Sequence, residues 1–188
     1  MESIKFKLLQ ARVENDPVRE RERNSFAIGL DVSPDQIETV DMLLGSDNYS
    51  SVTEGVHAVL VGGSGDFSVA RGGPWLAAAM TTFQDLYNMS KPTFASCWGF
   101  QAFARALGGE VVTDMSRAEL GTLEMSLTSE GLADPVFGPL GKKFHGQLGH
   151  EDIVHRLPVD AIRLASSPKV KNQAFTFRGK PIYCTQFH

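Results

Sequence analysis

Apolar residues in the first two thirds of the chain fall into short unbroken blocks joined by longer mixed stretches. In the last third they fall in short strand-like segments with Gly or Pro between them. Residues 4–9 read as a first strand. Asp16 and Pro17 look like an N-cap and first helical position, opening a charged helix through about residue 28. Ser33-Pro34 could open a further helix, yet residues 36–40 also alternate as a short strand does, and the pattern leaves both open. Residues 57–61 form an apolar run that ends in Gly62-Gly63-Ser64-Gly65, a buried strand entering a tight loop. Pro74 stands at the head of WLAAAMTTFQDLYNM, a helix of about four turns with Trp75, Phe83 and Leu86 on its buried face. Residues 92–96 are the next buried strand. Residues 99–107 are the next helix, stopped by Gly108-Gly109. This alternation predicts a parallel sheet with helices on both faces. Residues 119–127, 161–166, 173–177 and 181–186 are strand-like. They predict antiparallel hairpins added to that core, with Arg178-Gly179-Lys180 as a turn.

Composition sharpens the picture in a few places. The 188 residues, 42% hydrophobic and 21% charged, suit one soluble domain over residues 1–188 that needs no disulfide or metal staple. A net charge of −4 and dispersed basic residues give no footprint for nucleic acid. The charged start MESIKFKLLQ is unlike a secretory signal, and no apolar run reaches the length of a membrane span. With only two cysteines the expected setting is a reducing cytoplasm, where a free thiol remains usable.

One of those thiols is placed for chemistry. In PTFASCWGFQAFARALGG, Cys97 stands where a buried strand hands over to a helix, at the carboxyl end of the sheet where open α/β folds bind ligands. Unpaired N–H groups at the helix start favour thiolate over thiol. Ala95 and Gly99, both small, allow the tight turn of a nucleophile elbow. Taken alone, Cys97 is equally well a small buried hydrophobe, since free cysteine is among the most buried residue types. The Gly62–Gly65 loop could be an ordinary turn. It lacks the Lys-Ser/Thr ending of a phosphate-binding P-loop. The five-residue spacing of His145, His150 and His155 does not put them on one helix face, so no metal site is expected.

Four segments taken together are more specific. VGGSGDFS, ASCWGFQAFARALGG, LGHEDIVHRLP and IYCTQFH resemble, in order and spacing, successive motifs of the class I glutamine amidotransferases. Around the nucleophile the family pattern is G-x-C-x-G-x-Q with a helix ending in Gly-Gly. The chain matches it at Cys97, Gly99, Gln101, Gly108 and Gly109 and departs at Ala95. The resemblance implies a flavodoxin-like α/β fold: an open, mostly parallel sheet with helices on both faces and antiparallel strands in the C-terminal third. It also implies hydrolysis of the side-chain amide of L-glutamine, with no cofactor. Cys97 would be the nucleophile and His188 its base; the backbone N–H groups of Gly63 and Trp98 would face the oxyanion. Gly65, Gln101, Gly149, His150 and Asp152 would contact the substrate. Ammonia would pass to a synthetase partner.

The chain ends at His188, where the family continues with proline and a glutamate that orients the histidine. The expectation is that the natural protein runs further; the alternatives are a working dyad, or Glu151 or Asp152 in the role of that glutamate. Two other functions share the resemblance: a stand-alone γ-glutamyl peptidase or hydrolase, and a non-catalytic amidotransferase-like regulatory protein.

Overall fold

The computed structural model describes residues 3–43 and 52–188. Strand β1 (Phe6–Gln10) leads into helix α1 (Val18–Leu30), which begins one residue past Pro17. The carboxylate of Asp16 accepts the Val18 N–H at 2.8 Å, the capping contact expected of that residue. The ambiguous stretch after Ser33 turns out to hold both elements. Ser33 and Gln36 close a capping box over a single 3-10 turn, and β2 (Ile37–Asp41) follows at once. Next come β3 (Ala58–Val61), α2 (Leu76–Asn88), β4 (Thr93–Ser96) and α3 (Trp98–Ala106), within a residue or two of the boundaries predicted.

The C-terminal part is richer than its pattern suggested. It holds β5 (Glu110–Thr113), β6 (Glu119–Leu127), a short α4 (Ser129–Ala133), β7 (Lys143–His150), β8 (Asp152–Arg156), β9 (Ala161–Ser166), β10 (Ala174–Phe177) and β11 (Lys180–Thr185). The main sheet runs β2-β1-β3-β4-β11-β10-β9-β6-β7; β5 and β8 pair separately. Strands β2, β1, β3, β4 and β11 are parallel, and the rest of the main sheet extends antiparallel from β11. The last strand is thus more than a hairpin arm. It lies parallel to β4, with Thr185 opposite Ser96, and so delivers the end of the chain beside Cys97.

Period-2 alternation sorts the strands between two layers. On one side Phe6, Leu8, Ile37 and Leu60 pack with Ala27 of α1. On the other, Leu9, Val59 and Val61 meet Phe83, Leu86, Phe100 and Phe103 of α2 and α3. Trp75 and Trp98 join this second layer, with ring centroids 5.4 Å apart. Helix α3 lies so close to the sheet that an added Cβ on Gly99 would fall 2.7 Å from Cγ1 of Val61 and 3.1 Å from Cβ of Ala95.

That approach leaves no space for a methyl group. Gly99→Ala is therefore expected to lower unfolding free energy by about 1–3 kcal/mol, the usual cost of overpacking a tight contact. Urea unfolding of the two proteins measures it; a difference under about 0.5 kcal/mol, typical of neutral surface changes, would contradict the packing described.

Candidate active site at the carboxyl ends of the parallel strands

Three strands of the parallel sheet end around one point. After β3 the chain forms the loop Gly62–Gly65; after β4 it turns through Cys97 into α3; after β11 it ends in Gln186, Phe187 and His188. Cys97 has φ 53° and ψ −101°, a positive φ that a side-chain-bearing residue rarely adopts. Such a conformation costs about 1–3 kcal/mol and persists where neighbours impose it. Here the Cys97 N–H donates to the carbonyl of Thr185 at 2.8 Å, its carbonyl accepts from Gln101 N–H, and Gly99 N–H donates to the carbonyl of Gly62. The nucleophile elbow is therefore tied to β11, to its own helix and to the glycine loop. The methyl of Ala95 fits the turn because Gly99, opposite it, has none.

Cys97 lines a cavity of about 440 Å³ together with Ser64, Gly65, Trp98, Gln101, Glu119, Gly149, His150 and Asp152. The predicted substrate residues are thus gathered around the thiol, in a space of the size small-molecule sites usually have. The structure also gives several of them framework roles. Gln101 is buried, and its Nε2 donates to the carbonyl of Asp152 at 3.0 Å and to Oε1 of Gln186 at 3.1 Å. The Asp152 carboxylate accepts from Ser68 Oγ, Ala70 N–H and Thr113 Oγ1, which pins the segment after the glycine loop against β5 and β8. His150 lies with Nδ1 3.0 Å from the carbonyl of Asp152 and Nε2 3.1 Å from Glu119, both side chains buried. His145, on the outward face of the same strand β7, and His155, on β8, are by contrast exposed. Gly149 contributes only backbone.

His188 is tied to a neighbouring strand. Its N–H donates to the carbonyl of Gln147 on β7 at 2.9 Å, and Phe187 packs on Phe137 and Phe144. Gly146 makes room for this, since a Cβ there would meet Phe187 at 3.0 Å. His188 and Cys97 flank Gly63: a Cβ added to Gly63 would lie 3.2 Å from Cε1 of His188 and 3.8 Å from Cβ of Cys97. Neither Glu151 nor Asp152 takes the place of a carboxylate behind His188. Asp152 is committed as above, Glu151 stands exposed at the cavity mouth, and the acidic charge felt by the imidazole is that of Glu22 on α1.

The electrostatics separate the pair. Burial pushes the Cys97 thiol up to about 11, outweighing the Trp98 N–H that donates to the sulfur and the nearby Arg12. The helix start therefore does not suffice to make a thiolate in the unliganded protein, contrary to the simple reading of its position. Burial also lowers His188, with Arg12 and His150 adding to the effect and Glu22 opposing it. A neutral imidazole and a protonated thiol on either side of Gly63 are the starting state for general-base activation, although His188 lines a different cavity from Cys97. Of the two N–H groups predicted for the oxyanion, that of Trp98 points at the sulfur, whereas that of Gly63 donates to Oε1 of Glu22 at 2.9 Å.

Several participants escaped the sequence reading. Gln186, whose Nε2 lies 3.7 Å from Cys97 Sγ, could have been noticed as the residue paired with the motif histidine. Glu119 at the head of a strand, Arg12 in a loop and Glu22 in a charged helix carried no local signal, because such charges ordinarily read as solvated.

Comparison with known proteins gives the family and the fold. The profile of the family described as Glutamine amidotransferase class-I matches residues 29–188, and the chain belongs to that family. It is 32% identical over 105 residues to a glutamine-hydrolysing GMP synthase of Treponema denticola, covering 56% of this chain and 19% of that protein. It is 31% identical over 117 residues to a glutamine-hydrolysing GMP synthase subunit of Methanothermobacter thermautotrophicus, covering 62% and 61% respectively. The fold superposes with TM-score 0.79 on a candidate GMP synthase subunit from Thermoplasma acidophilum, at 22% identity, over 100% of this chain and 85% of that one. The matched stretches thus amount to about a fifth of the full-length GMP synthase and about three fifths of the Methanothermobacter protein. Among the described residues no helix is long and apolar enough to cross a membrane.

The lowered His188 makes a prediction about pH. If it is the base, alkylation of Cys97 by iodoacetamide is lost on acidification only as pH falls through the folded pKa of His188, which lies below the ordinary value of about 6.5. An acid midpoint well above that value in the rate–pH profile would contradict the assignment.

Proposed function

We propose that this chain hydrolyses the side-chain amide of L-glutamine through a γ-glutamyl thioester on Cys97 and releases ammonia. The observation that carries the reading is the strained Cys97 at a strand-to-helix elbow, opening on the cavity and flanked across Gly63 by His188. His188 takes the thiol proton as sulfur attacks the amide carbon. The negative oxygen that forms faces the N–H of Trp98, with that of Gly63 as the second donor once Glu22 releases it. The tetrahedral species collapses when His188 returns the proton to the departing nitrogen, giving ammonia and the thioester. Water, deprotonated by the same imidazole, then displaces the thiol and frees glutamate. Activation by a base is needed because a thiol raised to about 11 is almost wholly protonated at neutral pH.

Gly65, Gln101, Gly149, His150 and Asp152 form the walls against which the amino-acid end of the substrate rests. Family membership supports glutamine over γ-glutamyl peptides. The relatives named as GMP synthases make a purine-nucleotide synthetase the first acceptor of the ammonia to test. Glutamine, a synthetase partner and a soluble setting complete the reading.

The test is labelling with a diazo-ketone analogue of glutamine, read by peptide mapping, alongside ammonia release. The expected result is one adduct on Cys97, blocked by excess glutamine, with turnover abolished in Cys97→Ser. Labelling elsewhere, or undiminished turnover in Cys97→Ser, would remove Cys97 from the chemistry.

A further inference from the structure

The loop after β3 has a second side, away from the cavity of Cys97. There Glu22, at the middle of α1, reaches the glycines through a carboxylate that is almost fully enclosed. Oε1 accepts from Gly63 N–H at 2.9 Å and from Arg12 Nη2 at 3.3 Å; Oε2 accepts from Gln10 Nε2 at 2.9 Å. Each of these donors is anchored in turn. Gln10 is completely buried and also donates to the carbonyl of Arg19, and Arg12 also meets Asp16 at 3.2 Å. Glycine is required for the approach, since a Cβ on Gly62 would fall 2.4–2.6 Å from the carboxyl atoms of Glu22. Beside the carboxylate lies a second cavity of about 670 Å³, walled by Val18, Phe26, Leu30, Phe94 and His188.

From this geometry we infer that Glu22 is a positioning residue that withholds the Gly63 N–H from the oxyanion, and that hydrolysis reaches its full rate only when the carboxylate lets go of that amide. The inference rests on the glutamine-hydrolysing reading of the site. An N–H engaged in a charge-assisted bond to a carboxylate has nothing left to offer a transient alkoxide. A fixed negative charge at that place also opposes the negative charge that develops on the substrate. Glu22 likewise acts against ionisation of Cys97. These three effects have the same sign and hold the rate down; the support that Glu22 lends to the His188 imidazole acts the other way. The neighbouring cavity gives the carboxylate a place to swing into when ligand or partner binding favours release.

The test uses the full chain with Glu22→Ala and Glu22→Gln, following ammonia release from glutamine. Removing one oxyanion donor costs other enzymes roughly 10²–10³ in kcat, so freeing one here is expected to raise kcat by about tenfold or more in Glu22→Ala, with KM little changed. Glu22→Gln keeps the packing and a neutral acceptor for the amide, and is expected to give a smaller rise; it also stands in should the alanine variant fail to fold. An unchanged kcat in the folded variants overturns the inference. So does a fall in kcat with a displaced acid limb of the pH profile, which would make Glu22 the acidic partner of His188 instead.

A second readout separates this inference from the functional reading. With glycine ¹⁵N-labelled, the Gly63 amide resonance, assigned through Gly63→Ala, should move upfield in Glu22→Ala as the bond to carboxylate is lost. A resonance that stays in place overturns the inference. If no protein reacts with the diazo-ketone, the glutaminase reading fails while this spectrum still decides the placement of Glu22.

Discussion

Helix α3 can begin immediately after β4 only because Gly99 carries no side chain where the helix presses on Val61 and Ala95. With no residues to spare between strand and helix, the reversal falls on Cys97, which is driven to positive φ. Much of the site follows from this contact. The thiol is lifted above the carboxyl edge of the sheet, the Trp98 N–H is turned toward the sulfur, and Gly62 is hydrogen-bonded to the first turn of the helix. Strain stored at a functional position needs a surround that over-determines it. Here the surround is the double layer of aromatic side chains around Phe83, Trp98, Phe100 and Phe103 and the pairing of β4 with both β3 and β11.

Behind the cavity wall runs a polar network that binds sequence-distant elements together. Gln186 reaches Cys97 and Gln101; Gln101 reaches the backbone of Asp152; His150 links that backbone to Glu119; and Glu119 also accepts from Ser167 and Gln173. Buried polar groups are tolerable when each finds its partners, and such networks specify geometry more than they add stability. Two layers therefore meet at the nucleophile. An apolar one sets where the backbone goes, and a polar one sets which atoms face the cavity.

The parallel core was legible because strands buried on both faces appear as unbroken apolar runs, and because Pro74 and Gly108-Gly109 punctuate the helices. The missed strands fail that test for a physical reason. In β7 the inward positions are Gly146, Leu148 and His150, so burial alternates while hydrophobicity does not. Gly146 is small because Phe187 lies on it, and His150 is admitted because Glu119 is waiting for it. Strand β8 has only Ile153 and Val154 as apolar cues. Local patterning likewise could not tell that β11 returns beside β4, although that return brings His188 to Gly63. In the site, the motif residues could be singled out because their spacing is local. Glu22 was not, since a charged helix ordinarily faces water, and neither was Arg12 in the loop after β1; both side chains instead turn inward to the glycine loop.

A covalent bond from Cys97 to the carbonyl carbon of glutamine is the step on which the proposed chemistry stands. Acid-quenched intact-mass spectrometry during turnover of glutamine tests it most directly. The prediction is a transient γ-glutamyl adduct on the peptide that contains Cys97, which decays as ammonia and glutamate accumulate and is missing from Cys97→Ser. Ammonia release from homogeneous protein with no adduct at any time after quenching, together with activity surviving in Cys97→Ser, would contradict it.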